Sequence, residues 1–300
     1  MEAGVALSEL GRPTQDASRP VWVQLLLRSL HQRHMQIGLA LTLFMIALAV
    51  LGPLFAPHSP SAFVAAPFST PSAQAPLGTD YLGDDVLSRV LNGGASVVAL
   101  SFAATAFGVL LGVIVGLIAG YSRSFVDDAL MGVSDVVLSF PQIVLVLVFV
   151  SILGPKLWLI VVVVGLSHSP RVARLTRSVT LELIKREYVE SAELLGISRR
   201  RIFVQEILPN LVTPLLVETG LRLTWSIGVI AALSFLGFGI QAPHADWGLM
   251  INENRSGLTQ NVWSVMAPIM CIALFTIGTN LMTEGLSRTV TGIDSTGEAP

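Results

Sequence analysis

Six apolar runs dominate this chain, near residues 36–56, 97–119, 132–153, 157–173, 213–239 and 262–283. Each is long enough to carry a helix across roughly 30 Å of hydrocarbon. Inside lipid every backbone N–H and C=O must find a partner within the chain, so runs of this length admit helices and little else. The expectation is an all-α membrane protein with six transmembrane helices. Charge content agrees: 13% of residues are charged, against about a quarter in a soluble domain. The third and fourth runs meet at a tight Gly154-Pro155-Lys156 turn. Before the first run, Val21 to Leu30 reads as an amphipathic segment suited to the membrane interface. The first run is a retained span rather than a cleaved signal, because no small-residue cleavage site follows a short apolar core.

Lysine and arginine set the orientation. Fourteen of the eighteen lie before the first span, in the 120–131 loop, in the 171–212 loop or in the C-terminal tail. Positive charge stays inside, which places both termini and the 171–212 loop in the cytoplasm and segments 57–95 and 240–261 outside. The division that follows is a cytoplasmic segment 1–35, a transmembrane domain 36–283 with an extracytoplasmic stretch 57–96, and a cytoplasmic tail 284–300. The 57–95 segment is rich in Pro, Ser and Ala and reads as an irregular connector.

The 171–212 loop is not loop-like. Leu181, Ile184, Val189, Ala192, Leu195 and Ile202 recur at near-helical spacing with charges between them. Gly196 interrupts the pattern as a C-cap or bend. A second helical stretch from Ile197 to Ile207 is closed by Leu208-Pro209, since proline lacks the amide donor. Two readings fit this helix–bend–helix: an amphipathic connector beside anionic headgroups, or a knob that docks into a partner's groove. Small Ala192 and Gly196 permit close backbone approach in the second.

The same loop resembles the EAA motif of ABC importer permeases. Glu190, Ser191, Ala192, Gly196, Leu208 and Pro209 stand in register, while Glu206 departs from an apolar position. Further blocks extend the resemblance over about residues 77–288: Leu77-Gly78-Thr79-Asp80, Asp85 to Arg89, Asp135 with Phe140-Pro141, Ala173-Arg174-Leu175, Glu187 to Glu190, Leu208-Pro209-Asn210, Leu233 to Gly237, and Trp247-Gly248 with Met250. Together they resemble the second permease subunit of the dipeptide/oligopeptide/nickel importer family. Asp84 stands where that family has Arg, Ser169 and Val172 replace aromatics, and Ile230 replaces Glu.

The resemblance implies a non-catalytic inner-membrane subunit that forms half of a peptide pathway and couples ATPase closure to gating. It implies a second homologous permease, two cytoplasmic ABC ATPase subunits that bind the ATP and Mg, an extracytoplasmic substrate-binding protein and surrounding lipid as partners. No cofactor is expected in this chain, and no nucleic acid. Glu190, Ser191, Ala192, Gly196, Leu208 and Pro209 would couple to the ATPase. Nickel or another small solute remains an alternative cargo.

Four residues are candidates for gating or structure. Asp135 is an intramembrane carboxylate or an interfacial one near Asp127 and Asp128; the resemblance suggests a structural pairing with Arg174 or Arg177. Pro141 lies inside the third run and kinks it, as a hinge or a static bend. Arg222 lies in the fifth run, where snorkelling is preferred over facing the pathway. His168 sits at the inner end of the fourth run without ligands at metal spacing, and His31 with His34 is a weak metal signal. Trp247 and Trp263 fit an aromatic belt, preferred here over contacts with a docking protein.

The phosphate loop of an ATPase needs Gly-Lys followed by Ser or Thr. Lys156 follows Pro155 and Lys185 follows Ile184, so the chain is not the ATPase. An ion-coupled secondary transporter would show an inverted repeat or a midplane cluster of ionisable groups; neither is visible. A membrane scaffold without transport is the remaining alternative.

Overall fold

The computed structural model describes residues 21–122, 125–187, 194–202 and 207–291. Helices α1 (Val21–Ser29) and α2 (Arg33–Phe55) open the described chain. After a long connection come α3 (Val86–Asn92) and α4 (Gly94–Ser122). Next are α5 (Phe125–Leu138), α6 (Gln142–Leu153) and α7 (Leu157–Leu183). A single turn at Arg199–Ile202 precedes α8 (Leu208–Phe235), α9 (Trp247–Asn254) and α10 (Trp263–Thr291). Among the described residues five helices are long and apolar enough to cross a membrane, or six if α5 and α6 are one broken span.

Glycine decides which helices touch. Lipid tails are as apolar as leucine, so helices associate through close packing rather than through the hydrophobic effect. On α4, Gly108, Gly112, Gly116 and Gly120 recur every fourth residue and all four are buried or line a buried contact against α7. A Cβ on Gly108 would stand 2.6 Å from the Gly165 carbonyl oxygen, and one on Gly112 would stand 2.5 Å from Val172 Cβ. The partners climb together (165, 172, 173, 180), so α4 and α7 run parallel. A second seam joins α2 to α10 with the opposite sense. A Cβ at Gly38 would meet Gly278 O at 2.8 Å, and one at Gly285 would meet Met35 Cβ at 2.8 Å. Between the seams α8 is tied to α4 by Thr105 and Ser226, whose hydroxyls are 2.9 Å apart, and to α10 by Thr224, which donates to Thr279 at 3.1 Å.

Three boundaries differ from the sequence reading. The third run is not one continuous helix: α5 and α6 meet at an 85° bend over residues 139–141. Pro141 has no N–H and adopts φ −58, ψ 128, leaving the helical region at the bend. The fourth helix does not stop at 173 but continues to Leu183. Its charged second half is held helical by packing on Gly116 and Gly120 of α4 and by ion pairs to α5. The 57–95 connector is ordered by its own hydrogen bonds, including the isolated antiparallel bridges Phe63–Asp84 and Thr79–Asp85.

Gly112→Leu is expected to lower the melting temperature of the purified protein, because overpacking of a tight core costs about 1–3 kcal/mol. Gly132→Leu, where a Cβ meets nothing within 4 Å, is the control; equal melting in both variants contradicts the seam.

Candidate functional site

One end of the bundle carries the end of α4, the end of α7 and the start of α8. There Leu183, Ile202, Ile207 and Leu211 bury against Leu117 of α4. This cluster clamps both feet of the segment between α7 and α8. Leu208 and Pro209 open α8, where proline is tolerated because the first-turn amides have no intrahelical acceptor. Between the feet, residues 194–198 are exposed. Gly196 takes φ +73, a left-handed conformation that side chains rarely adopt, and nothing lies within 4 Å of where its Cβ would stand. Beside it Leu194 and Leu195 are 84% and 80% exposed. Glu190, Ser191 and Ala192 lie outside the described residues, as does Glu206.

Facing α7 from α5 is a set of ion pairs. Arg177 grips Asp127 in a fork, Nε donating to Oδ1 at 2.5 Å and Nη2 to Oδ2 at 2.6 Å. One turn earlier on α7, Arg174 pairs with Asp135 at the surface. Asp135 therefore takes Arg174, while Arg177 takes a carboxylate further down α5. Pro141 caps the start of α6 beside Gln142, whose side-chain amide lies 3.3 Å from His168 Nε2. His168 is midway along α7 and buried, not at its inner end. Its Nε2 also meets Ser226 Oγ at 3.0 Å, and Ser226 meets Thr105. A polar chain therefore runs from the α5–α6 bend into the centre of the bundle.

Arg222 corrects the sequence reading. Its side chain is 7% exposed and does not snorkel; Nε sits 2.9 Å from Glu218 Oε1, one turn earlier on α8. The neighbouring carboxylate supplies a counter-charge inside the bundle, which removes the need to reach the interface. Among the described residues no group of three or more His, Cys, Asp or Glu is placed to hold a metal ion.

The opposite end holds an arrangement the sequence reading missed. Arg89 enters the sequence reading within the Asp85-to-Arg89 block with no partner assigned to it, and its side chain is 2% exposed. It pairs with Asp80 and donates Nη2 to Glu253 Oε2 at 2.9 Å. Tyr81 donates to the other Glu253 oxygen at 3.1 Å. Asp80 Oδ1 accepts the amides of Leu82 and Asp84, each at 2.9 Å. Asn261 donates to the carbonyls of Leu77 and Thr79, each at 3.0 Å. The Leu77-to-Arg89 block is thus a knot joining the long connection to α9 and to the segment before α10. Its available signal was three carboxylates, Asp80, Asp84 and Asp85, gathered around one arginine in a stretch with no other base.

Trp247 is likewise no belt residue. It is fully buried, donates Nε1–H to Val90 O at 2.8 Å and packs its ring on Gly94. Trp263, 41% exposed, keeps the surface position. Beside Trp247, Asp246 caps α9 by accepting Gly248 N at 3.0 Å and Leu249 N at 3.1 Å, and it accepts the Ser96 hydroxyl. Burial pushes its carboxyl above the usual aspartate range, and these hydrogen bonds pull it back. Glu253 is also raised by burial, against the pull of Arg89.

Residues 112–292 match the protein family described as binding-protein-dependent transport system inner membrane component. A relative in Brucella suis biovar 1 named for a peptide transport system permease is 33% identical over 285 residues, covering 93% of this chain and 96% of its own. The dipeptide transport system permease protein of Alkalihalophilus pseudofirmus is 32% identical, covering 83% of each chain. The glutathione transport system permease protein of Pectobacterium atrosepticum is 37% identical over 216 residues, 72% of each chain.

Two outcomes follow from the buried charges. Replacing Arg89 with Met strands Asp80 and Glu253 and is expected to cost about 3–5 kcal/mol in unfolding measurements; a loss below 1 kcal/mol contradicts the knot. A raised carboxylate stabilises in its protonated form, so Asp246 contributes stability at low pH that is lost as pH rises through its folded-state value. Asp246→Asn keeps a cap acceptor and should flatten that part of the stability–pH curve. An unchanged slope would contradict the burial argument.

Proposed function

This chain belongs to the family of inner membrane components of binding-protein-dependent transport systems, and we propose that it is one of two homologous permease subunits of an ATP-driven peptide importer. Peptide cargo is supported by the relatives named for peptide, dipeptide and glutathione transport. The segment between α7 and α8 faces the cytoplasm, as the clustering of arginine and lysine there supports, and both termini lie on that side. Residues 57–96 face outward, where a substrate-binding protein delivers cargo. The ATP and Mg belong to two cytoplasmic ATPase subunits, one of which holds this segment.

One observation carries the coupling role: an outward-facing leucine pair beside a left-handed glycine, on a segment whose two feet share one buried cluster. Exposed leucines at such a tip gain by entering a groove of a partner. Glu190, Ser191, Ala192 and Gly196 would form the docking surface, with Leu208 and Pro209 fixing its return to α8. When the ATPases close on ATP, force on the tip reaches α7 and α8 together through Leu183, Ile202, Ile207 and Leu211. From α7 it passes to α4 across the glycine seam and to α5 through Arg174–Asp135 and Arg177–Asp127. The bend at Pro141 and the polar chain behind it then lie where these helices shift against α8. The chain itself performs no covalent chemistry.

The test uses the purified permease–ATPase complex with its binding protein in vesicles. Gly196→Val strains the left-handed turn without a clash. It is expected to leave ATP hydrolysis in place while peptide uptake is largely lost; normal uptake would refute the coupling role. Solute uptake by the isolated chain under an ion gradient would refute the permease reading itself.

A further inference from the structure

Three arginines rise along one side of α7 at intervals of three residues: Arg177, Arg174 and Arg171. The first two meet carboxylates of α5, Asp127 and Asp135. Beyond Asp135 the partner helix breaks, and the next contact is Gln142 with His168. Arg171 therefore faces the bend, where residues 139–141 offer no acidic side chain. It is exposed and has no ion pair or hydrogen bond among the described residues. A cavity of about 310 Å³ opens there, lined by Ser139, Phe140, Pro141, Gln142, Ser167 and Arg171. That volume is at the lower end of small-ligand pockets, roughly 300–1,000 Å³.

We propose that Arg171, with the side-chain amide of Gln142, forms a transit site for the terminal carboxylate of a peptide on its way through the complex. This deepens the peptide-importer reading and rests on it. A guanidinium fork matches a carboxylate with two parallel N–H donors. Gln142 adds a neutral donor on the facing wall, and from it the chain His168–Ser226–Thr105 leads polar groups into the bundle. A lipid phosphate fits the position less well. Arg171 opens the basic 171–212 segment at the inner membrane boundary, but the polar chain behind Gln142 leads inward, where a phosphate tethered in the bilayer does not follow.

The experiment uses the full complex with its binding protein in vesicles, and follows uptake of trialanine and of trialanine amide by wild type, Arg171→Gln and Arg171→Lys. Arg171→Gln should lower trialanine uptake about tenfold, the loss of one charge-assisted hydrogen bond. Amide uptake should stay at the wild-type level, and Arg171→Lys should recover part of the acid uptake. Melting temperature and ATPase rate should not change, since the side chain holds no described partner. Equal loss for both peptides, or a loss that varies with the anionic lipid content of the vesicles, overturns the proposal. So does unchanged trialanine uptake in Arg171→Gln. If wild type carries the acid alone, a trialanine defect that Arg171→Lys does not recover overturns it. If wild type carries neither peptide, the peptide-importer reading falls and takes this proposal with it.

Discussion

The seam between α4 and α7 is the contact on which the remaining geometry depends. In lipid there is no gain from burying leucine against leucine, so two helices stay together only where their backbones can approach and many atoms touch. Gly108, Gly112, Gly116 and Gly120 grant that approach over the second half of α4, against residues 165–180 of α7. The seam sets the rotation of α7. That rotation turns His168 toward Ser226 of α8, and Arg174 and Arg177 toward α5. A quarter-turn error would bury the arginines in apolar surroundings and expose the histidine to lipid, each a large penalty. Polar pairing and glycine packing thus select the same arrangement, which is the consistency expected of a sequence that specifies one fold.

Charges at the two ends serve different ends of the free-energy account. Arg89, Asp80 and Glu253 are nearly sealed from water, and pairs of this kind contribute little net stability relative to apolar substitutes. Their effect lies in what happens when the geometry is wrong, since any misplacement of α9 would leave a buried charge alone. Trp247 and Asp246 add a second set of conditions on the same helix. The pairs at the α5–α7 contact are more exposed, and the Arg174–Asp135 pair is about half open to solvent. Their worth per pair is modest, so they can break and reform. Rigidity at one end and loosely held ion pairs towards the other is the distribution a moving bundle requires.

Much of this was legible from residue order. The apolar runs give five of the long helices directly, and Pro141 marks the break because proline removes a donor wherever it falls. What remained hidden needed two segments at once. The period-four glycines are visible on α4, but their partner is set by Gly165, Val172, Ala173 and Thr180 on another helix. Ser169 and Val172, which looked like departures where aromatics were expected, are small because Gly112 lies against them. Ile230 is buried beside Val150 and Leu159, a setting in which a carboxylate would be costly. Arg89 and Trp247 misled for one reason: charge and aromaticity suggest surface and interface, and burial depends on partners more than 150 residues away. Where α7 ends was obscured because its second half is charged; tertiary contacts, not composition, extend it.

These features bear on how force crosses the molecule. A body moves as one piece when its internal contacts cost more to break than those at its edges. The glycine seams join α4 to α7 and α2 to α10 over long stretches, each dense with backbone contact. Helix α8 meets both bodies through apolar packing, through Gly220 against Thr283, and through hydroxyl pairs, Thr105–Ser226 on one side and Thr224–Thr279 on the other. Such pairs can exchange partners at little cost, as a sliding surface must. The feet at Leu183 and Leu211 join α7 and α8 at one end, and Val163 and Val164 share a second buried cluster with Val229, Ile230 and Leu233 further along. The two helices stay in contact from that cluster through His168–Ser226 to the second one, so a push at the feet is carried along both. It therefore reaches the His168–Ser226 contact, where Gln142 links the cavity at the α5–α6 bend to the centre of the bundle.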